Sequence, residues 1–313
     1  MTLDDVLSGR SEYAIDNADV IPRLHEMPEA CIDLSVTSPP FPSVYAYSRD
    51  EADVGNSECL EAEAPLHLQW WLRGMLRVTR PGRVLVVHCT QIARLRRSGE
   101  CGLYDFRGLL IRLGQRAGFT YEYDWLVRVN PQSQAIRTRS RALQFAGLEA
   151  DRAASRGAMG MYLVKFRRPG DNAAAVDSPG EVSRNDWIAW AEACWPDVRE
   201  TDTLNAADGR EGSDTRHICP MQLGIYERCI RLFSNPGEVV FDPFAGIGSC
   251  GFVALGGRSP VTGRRVREPR RFYGCELKAS YHAAAVRNCA RAAARRLEEG
   301  RSLFDGVGEG ANP

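Results

Sequence analysis

The clearest structural signal in the chain is VVFDPFAGIGS, residues 239–249. Its first four residues read as a short buried strand, and the glycines at 246 and 248 predict a tight turn into a helix. Glycine lets a backbone approach a ligand closely, and the first turn of a helix offers unpaired N–H donors. The spacing matches neither GxGxxG nor the P-loop, so phosphate binding is not the predicted use. The stretch is either a structural turn or a strand–turn–helix that binds a small molecule.

The next strand favours the binding interpretation. FYGCE, residues 272–276, reads as a strand that ends in an acid, 34 positions after Asp242. An acid at the tip of the second strand of a nucleotide-binding sheet is placed to accept hydrogen bonds from ribose hydroxyls. Asp242 and Glu276 therefore predict a cofactor site that contains ribose.

The rest of the chain alternates helices and strands. We predict strands over 31–36, 84–88, 119–129, 239–242 and 272–276, and helices over 60–78, 105–118, 220–233 and 249–256. This alternation predicts an α/β fold with a mostly parallel sheet between helices. Between 130 and 216 the pattern degrades into arginine-rich and turn-rich sequence, which indicates an insertion or an appended lobe.

A second motif, TSPPF at residues 37–41, follows a predicted buried strand. Two prolines fix the backbone there and leave rigid carbonyl groups. The Ser38 hydroxyl and the Pro39 carbonyl are suited to accept the two hydrogens of an exocyclic amine, while Phe41 stacks on a planar base. An ordinary proline turn after a strand is the alternative interpretation.

Composition excludes several classes of protein. The 313 residues are 44% hydrophobic and 26% charged, which is typical of a globular chain and not of a disordered or fibrous one. No apolar run approaches the roughly 20 residues of a membrane helix, and the N-terminus does not resemble a signal peptide. The ten cysteines are scattered without a CxxC pair, so we expect free thiols, no metal site and a cytoplasmic protein.

The net charge is zero, but the charges are distributed unevenly along the chain. Residues 1–63 carry fourteen acids and three arginines, whereas 125–168 carry nine bases and two acids. A third segment, 258–271, carries six arginines and one acid. The two basic segments are either solvated surface or a local face for a polyanion such as DNA.

Together the two motifs resemble the signature of the amino-methyltransferases of DNA, which move a methyl group from S-adenosylmethionine to N6 of adenine or N4 of cytosine. SPPF precedes DPFAGIGS here, an order similar to the circularly permuted β class and its phage and prophage members. The resemblance implies a Rossmann-like methyltransferase sheet with helices on both faces, plus a smaller target-recognition lobe. It divides the chain into a catalytic half (1–129), a target-recognition region (130–216), a cofactor-binding half (217–300) and a tail (301–313).

The resemblance also implies roles for individual residues. The catalytic set is Ser38, Pro39, Pro40 and Phe41. The residues that bind S-adenosylmethionine are Asp19, Thr37, His217, Pro220, Asp242, Phe244, Gly246, Gly248, Ser249 and Glu276. For DNA contacts we predict Arg137, Arg139 and Arg141, which share one face if extended, together with Arg264 and Arg265. The implied partner is double-stranded DNA, and a homodimer and a cognate restriction endonuclease are compatible with it.

Several alternatives stay open on the sequence. Serine at position 38 is commoner among cytosine-N4 enzymes, so N4 is favoured over adenine N6 as the target atom. Methylation of RNA or of a protein glutamine is a remoter alternative, because those families usually place the glycine motif first. An inactive DNA-binding module is disfavoured by the intact motifs. Trp187, Trp190 and Trp195 are predicted to form the core of the smaller lobe.

Overall fold

A computed structural model describes residues 1–42, 53–56, 61–94, 102–138, 140–205 and 220–305. The strands are β1 (Tyr13–Asp16), β2 (Ile32–Thr37), β3 (Thr79–Thr90), β4 (Ile92–Arg94), β5 (Gly102–Tyr104), β6 (Thr120–Val127), β7 (Met161–Arg167), β8 (Cys194–Trp195), β9 (Val239–Asp242) and β10 (Arg271–Cys275). The helices are α1 (Leu3–Leu7), α2 (Val20–Glu26), α3 (Glu63–Val78), α4 (Phe106–Ala117), α5 (Pro131–Thr138), α6 (Phe145–Ala150), α7 (Arg184–Trp190), α8 (Leu223–Phe233), α9 (Ser249–Ala254) and α10 (Ala279–Asp305). In this part of the chain no helix combines the length and the apolar character that crossing a membrane requires.

Eight strands form one sheet in the order β1-β10-β9-β2-β3-β7-β6-β8. The first five are parallel, β7 is antiparallel to β3 and to β6, and β8 is parallel to β6. The short strands β4 and β5 pair separately. This arrangement confirms the predicted α/β class.

Both faces of the sheet are covered, as expected for parallel strands without polar alternation. Every residue of β2 and of β9 is buried. Along β3, Val84 and Val86 belong to a core with α8, α9 and α10, whereas Leu85 and Val87 belong to a core with α2, α3 and α4. Helices on both faces are therefore held by the same short apolar strands.

The order of the strands changes direction between the neighbouring strands β9 and β2. From β9 the chain passes through α9 to β10 on one side, and from β2 it passes through α3 to β3 on the other. At such a switch point the connections diverge and leave a crevice outside the carboxyl ends of the two strands. The motifs at 37–41 and 241–249 both lie at this crevice.

Two strands within the predicted target-recognition region (130–216) pair into the main sheet. β8 is parallel to β6. β7 lies inside the sheet and pairs with β3 from Val84–Arg167 to Thr90–Met161, so residues 161–167 are part of the main sheet and not of a separate lobe. The basic flanks of this strand and its edge-like mixture of apolar and charged residues concealed it. The prediction for the tryptophans also needs correction, because Trp190 and Trp195 are buried in the main core whereas Trp187 is 60% exposed.

Candidate active site

The two sequence motifs meet at the crevice through Asp242. Thr37 ends β2, and its hydroxyl donates a 2.6 Å hydrogen bond to Asp242 Oδ1 at the end of β9. The same carboxylate accepts a hydrogen bond from the Phe244 backbone N–H at 3.1 Å and one from the Tyr226 hydroxyl at 3.4 Å. Asp242 therefore joins the end of β2, the turn after β9 and helix α8.

The environment of Asp242 disfavours its charged form. The residue has no exposed surface, and burial raises the pKa of its carboxyl to about 6, against three hydrogen bonds that act in the opposite direction. Desolvation favours the neutral acid, whereas N–H and O–H donors favour the carboxylate. The hydrogen bond from Thr37 is thus part of what keeps Asp242 ionised near neutral pH.

The turn after β9 folds around Glu276, the residue that follows β10. The Gly246 N–H donates a 2.8 Å hydrogen bond to Glu276 Oε2, and the Lys278 N–H donates one of 2.9 Å to Oε1. Burial raises the pKa of Glu276 to about 7, and the nearby charges of Asp242 and Asp53 act in the same direction. Glu276 therefore lies at the crevice directly after β10, and its contact with ribose stays a prediction.

The glycine turn leaves room for a bound molecule. Gly246 has a φ of 54°, and a Cβ added to it would meet no atom within 4 Å. At Gly248 a Cβ would lie 2.9 Å from the backbone of α10, so this glycine serves close helix packing instead. The Ser249 hydroxyl and the Gln222 amide oxygen are buried near the starts of α9 and α8, and neither has a hydrogen-bond partner among the described residues. Open space, unpaired polar atoms and an acid fit S-adenosylmethionine.

Of the remaining predicted cofactor residues, the structure describes Asp19 and Pro220 but not His217. Asp19 caps α2 by accepting a 2.9 Å hydrogen bond from the Ile21 N–H. It lies at the crevice edge, because the neighbouring Ala18 N–H donates to the Glu276 carbonyl at 3.2 Å. Pro220 is partly buried two residues before Gln222, the N-cap of α8. His217 lies outside the described residues.

The SPPF segment continues from β2 into the same crevice. Ser38 and Pro40 are partly exposed, whereas Pro39 is buried. The Phe41 ring packs edge-on against Phe106 with 5.7 Å between ring centroids and keeps part of its surface exposed. These four consecutive residues therefore lie at the crevice, and their catalytic role stays a prediction.

Ser38 has a partner that the sequence analysis missed. Ser38 Oγ and His88 Nδ1 are 3.0 Å apart, and burial lowers the pKa of His88 to about 4, so the imidazole is neutral at pH 7. The parallel register aligns Thr37 with Val87, which brings the next residues of β2 and β3 side by side. Tyr226 on α8 was missed for the same reason. The sequence shows a histidine at a strand end, but not which strand is its neighbour.

The segment between β6 and β7, called the middle region below, leaves and re-enters the sheet at the same edge as the crevice, because β6 ends and β7 begins there. Arg137 belongs to α5, so the condition of an extended face for the three arginines is not met at this residue, and its contact with DNA stays a prediction. Asn130 accepts hydrogen bonds from the Gln132 and Ser133 N–H groups, and Pro131 takes the first helical position, so the helix has a strong start. Arg141 opens a short 3-10 turn, and Arg139 lies outside the described residues.

The basic segment that precedes β10 makes many contacts within the protein. Arg264 forms ion pairs with Asp186 at 3.3 Å and with Glu227 at 3.2 Å, and its guanidinium lies 5.5 Å from the Trp190 ring centroid. Arg265 is partly buried and has an interaction partner. These contacts attach the segment to α7 and α8, and a DNA contact from either arginine stays a prediction.

No metal-binding cluster of three or more His, Cys, Asp or Glu side chains occurs within the described residues. Seven of the cysteines are described, all as free thiols. The carboxylates of Asp242 and Glu276 in the crevice accept hydrogen bonds from protein donors.

Known proteins share this architecture. The putative DNA modification methylase TTHA0409 of Thermus thermophilus superposes with a TM-score of 0.63 at 21% identity, over 90% of this chain and 96% of that chain. Its complex with S-adenosyl-L-methionine gives a TM-score of 0.62 at 22% identity, over 89% and 95%. The cytosine-N4-specific PvuII DNA methyltransferase gives a TM-score of 0.58 at 18% identity, over 89% and 86%. A search of curated protein sequences returns no match.

The structural similarities show the fold, and a family match adds the class. The model of the DNA methylase family N6_N4_Mtase matches residues 32–287, a range that includes the TSPPF motif, the glycine motif and Glu276. The chain therefore belongs to the N6/N4 DNA methylase family.

Proposed function

We propose that this protein is a site-specific DNA methyltransferase that moves a methyl group from S-adenosylmethionine to N4 of a flipped-out cytosine. One observation carries the proposal. The Thr37–Asp242 hydrogen bond joins the amine-binding motif (TSPPF, 37–41) to the glycine turn that follows β9 (243–249), at the switch point of the sheet. The donor and the acceptor of the methyl group would then share one crevice. The transfer is direct, without a covalent intermediate on the enzyme.

The glycine turn and its surrounding acids would hold the cofactor. When bound, S-adenosylmethionine supplies an electrophilic methyl group on a positively charged sulfur. Glu276 is placed to accept hydrogen bonds from ribose hydroxyls, since it follows β10 and faces the Gly246 N–H. Gly246 presents backbone without a side chain to the open space, so a ligand can approach it closely.

The SPPF segment would bind the target base. The Ser38 hydroxyl and the Pro39 carbonyl accept hydrogen bonds from the exocyclic amine, and Phe41 stacks on the base. An exocyclic amine is a poor nucleophile because its lone pair is delocalised into the ring. Two acceptors favour a pyramidal nitrogen and strengthen as positive charge develops on it, so they stabilise the transition state more than the bound substrate.

The region between β6 and β7 is placed to contact DNA. It leaves the sheet at the edge that carries Ser38, and the segment 125–168 holds nine bases and two acids. Ile136, Phe145 and Leu148 are between 52% and 80% exposed on the helices of this region. Basic groups bind phosphates, and exposed apolar side chains are suited to contact a duplex from which a base has been extruded. A cytoplasmic site of action, a homodimer and a cognate endonuclease stay predictions.

Methyl transfer to DNA in vitro tests the proposal. Purified protein is incubated with S-adenosylmethionine and mixed-sequence duplex DNA, and the nucleosides are identified by mass spectrometry after digestion. We expect N4-methylcytosine. N6-methyladenine would leave the site assignment intact and overturn the base, whereas bound cofactor without either product would overturn DNA as the substrate.

Two variants separate the amine-binding role from cofactor binding. Ser38→Ala and Phe41→Ala are expected to lose most turnover while their affinity for S-adenosylmethionine stays close to that of the wild type. Ser183→Ala, which removes the N-cap of α7, is the matched serine control and should retain turnover. Equal loss of cofactor binding in both site variants would contradict the assigned roles.

A further inference from the structure

His88 lies beside the predicted amine acceptor, at the carboxyl end of β3. Its Nδ1 is 3.0 Å from Ser38 Oγ, and its ring lies 6.3 Å from the Phe41 ring between centroids. His88 is therefore a direct neighbour of two residues of the amine-binding motif, Ser38 and Phe41. It does not itself belong to that motif.

The histidine is more polar than its surroundings require. The residue is 7% exposed, and its Nε2 has no hydrogen-bond partner in the part of the chain that the structure describes. Burying a polar group without a partner costs stability, so a purely structural position favours an apolar side chain of similar shape. Within that part of the chain, the polar contact of this imidazole is the one with Ser38.

The tautomer of His88 decides what Ser38 can do. With the proton on Nε2, Nδ1 accepts the Ser38 hydroxyl hydrogen, and the lone pairs of Ser38 Oγ are free to accept a hydrogen from the target amine. With the proton on Nδ1, the imidazole donates to Ser38, and the hydroxyl hydrogen is free to point at the amine, where donor would face donor. The first arrangement matches the chemistry of amine methylation.

We propose that His88 is a positioning residue that orients the Ser38 hydroxyl toward the target amine and receives the amine proton through it; this inference rests on the proposed function. After methyl transfer, an N–H bond of the methylated amine breaks and its proton passes to Ser38 Oγ. The original Ser38 O–H proton passes to His88 Nδ1, and the resulting imidazolium releases one proton to water once the product has left the crevice. One proton leaves per methyl group transferred, so the step is balanced.

The acidity of the two groups favours this direction of transfer. The exocyclic amine of cytosine is so weakly basic that the ring nitrogen N3 takes up a proton first, so its protonated form is a far stronger acid than an imidazolium. Burial lowers the pKa of His88 to about 4, which weakens it as a base but leaves it far more basic than that amine. A neutral imidazole is also the form that is present at neutral pH, before the reaction begins.

A double-mutant cycle tests the coupling. His88→Phe, Ser38→Ala and the double variant are compared by single-turnover methyl transfer to DNA, by the dissociation constant for S-adenosylmethionine and by melting temperature. We expect His88→Phe to slow transfer by about 10²-fold, with cofactor affinity unchanged and no fall in melting temperature. In the Ser38→Ala background the same substitution should cause little further loss, because His88 acts through Ser38.

The controls distinguish the possible failures. His67→Phe, on α3 where the imidazole stacks on Trp70, makes the same chemical change elsewhere and should leave the rate unchanged. His88→Asn keeps a hydrogen-bonding group near the Nδ1 position, so it should transfer faster than His88→Phe, and it replaces that variant in the cycle if His88→Phe does not fold. The inference would be overturned if the loss of rate in the double variant equalled the product of the losses in the two single variants. A His88→Phe rate equal to that of the wild type would also overturn it. Wild-type protein that binds cofactor but methylates no DNA would instead overturn the proposed function.

Discussion

Thr37 and Asp242 are 205 positions apart in the chain and are joined by a 2.6 Å hydrogen bond in the buried centre of the crevice. Each residue ends a strand, and the two parallel strands are neighbours because the order of strands in the sheet changes direction between them. This contact determines how the amine-binding motif is placed relative to the glycine turn. Its removal should therefore affect both the stability of the fold and the geometry of the site.

Thr37→Val removes the hydroxyl while keeping a branched side chain. We expect a loss of about 1.5–3 kcal/mol in the free energy of unfolding, because a hydrogen bond to a buried charged group is lost. Cofactor affinity should fall as well, since Asp242 also accepts the backbone N–H of the turn at Phe244. Urea unfolding and calorimetric titration with S-adenosylmethionine measure the two effects. Thr90→Val, which loses a 2.9 Å bond to the Gly160 carbonyl, should destabilise the protein without changing cofactor affinity.

Asp242 predicts how stability changes with pH. Its pKa is about 6 in the folded protein and 3.8 in the reference state, so the folded state binds more protons between these values. The free energy of unfolding should therefore decrease as pH rises from about 4 to about 6, by up to about 3 kcal/mol from this residue at 1.36 kcal/mol per pKa unit. Asp242→Asn should reduce that slope.

Urea unfolding at a series of pH values measures the slope. Glu276, whose pKa is raised in the same direction, will leave a residual decrease that continues toward pH 7. The exposed Asp177 provides the matched control, because Asp177→Asn should keep the wild-type profile. An unchanged slope in Asp242→Asn would show that the folded carboxyl titrates near its ordinary pKa.

A comparison of alanine variants at Gly246 and Gly237 distinguishes the effect of backbone strain from that of ligand contact. Gly246 has a φ of 54° and Gly237 a φ of 73°, and in both cases an added Cβ would meet nothing within 4 Å. Alanine at either position should destabilise the fold by roughly 1–2 kcal/mol, because both require the left-handed region. Gly246→Ala should also weaken S-adenosylmethionine binding by more than tenfold, equivalent to about 1.4 kcal/mol or more, whereas Gly237→Ala should not. Similar affinities in the two variants would place the cofactor elsewhere.

The local elements were predictable from the sequence, because their signals are local. The strand at 239–242 was predicted with the bounds that the structure shows, and the helix from 105 to 118 ends at Gly118 with a φ of 113°. One feature was not predictable because it depends on which strands are neighbours, and one local signal was missed. β7 resembles an exposed edge strand in composition but lies between β3 and β6, and α5 forms because Asn130 caps it, although its arginine spacing suggested an extended face.

The site was predictable to the same extent. Motif residues such as Ser38 and Glu276 could be identified because their spacing and position at strand ends are visible in the chain. Partners that depend on which strands are neighbours, such as His88 and Tyr226, were missed. The order of the strands in the sheet, not any local pattern, brings those side chains to the crevice.

The tryptophans of α7 and its surroundings differ sharply in burial, and so should the effects of their substitution. Trp190 is 2% exposed and lies between 4.9 and 5.8 Å from the guanidinium groups of Arg228, Arg231 and Arg264. Trp190→Ala should destabilise the protein by about 3–5 kcal/mol, because it leaves a cavity in the core. Trp187→Ala, at 60% exposure in the same helix, should change stability by less than about 0.5 kcal/mol. Thermal and urea unfolding compare the two, and equal losses would contradict the packing described for α7.

Arginines 137, 139 and 141 provide the last prediction, which concerns DNA affinity. If they contact phosphates, changing all three to glutamine should weaken binding to duplex DNA regardless of sequence and reduce the slope of log affinity against log salt by about 0.9 per lost contact. Arg264→Gln should instead lower stability with little effect on that slope, because Arg264 is paired with Asp186 and Glu227. Fluorescence anisotropy with a labelled duplex at several salt concentrations measures both variants. If the slope changed in Arg264→Gln and not in the triple variant, the result would contradict the prediction and indicate that the segment before β10, and not the middle region, contacts DNA.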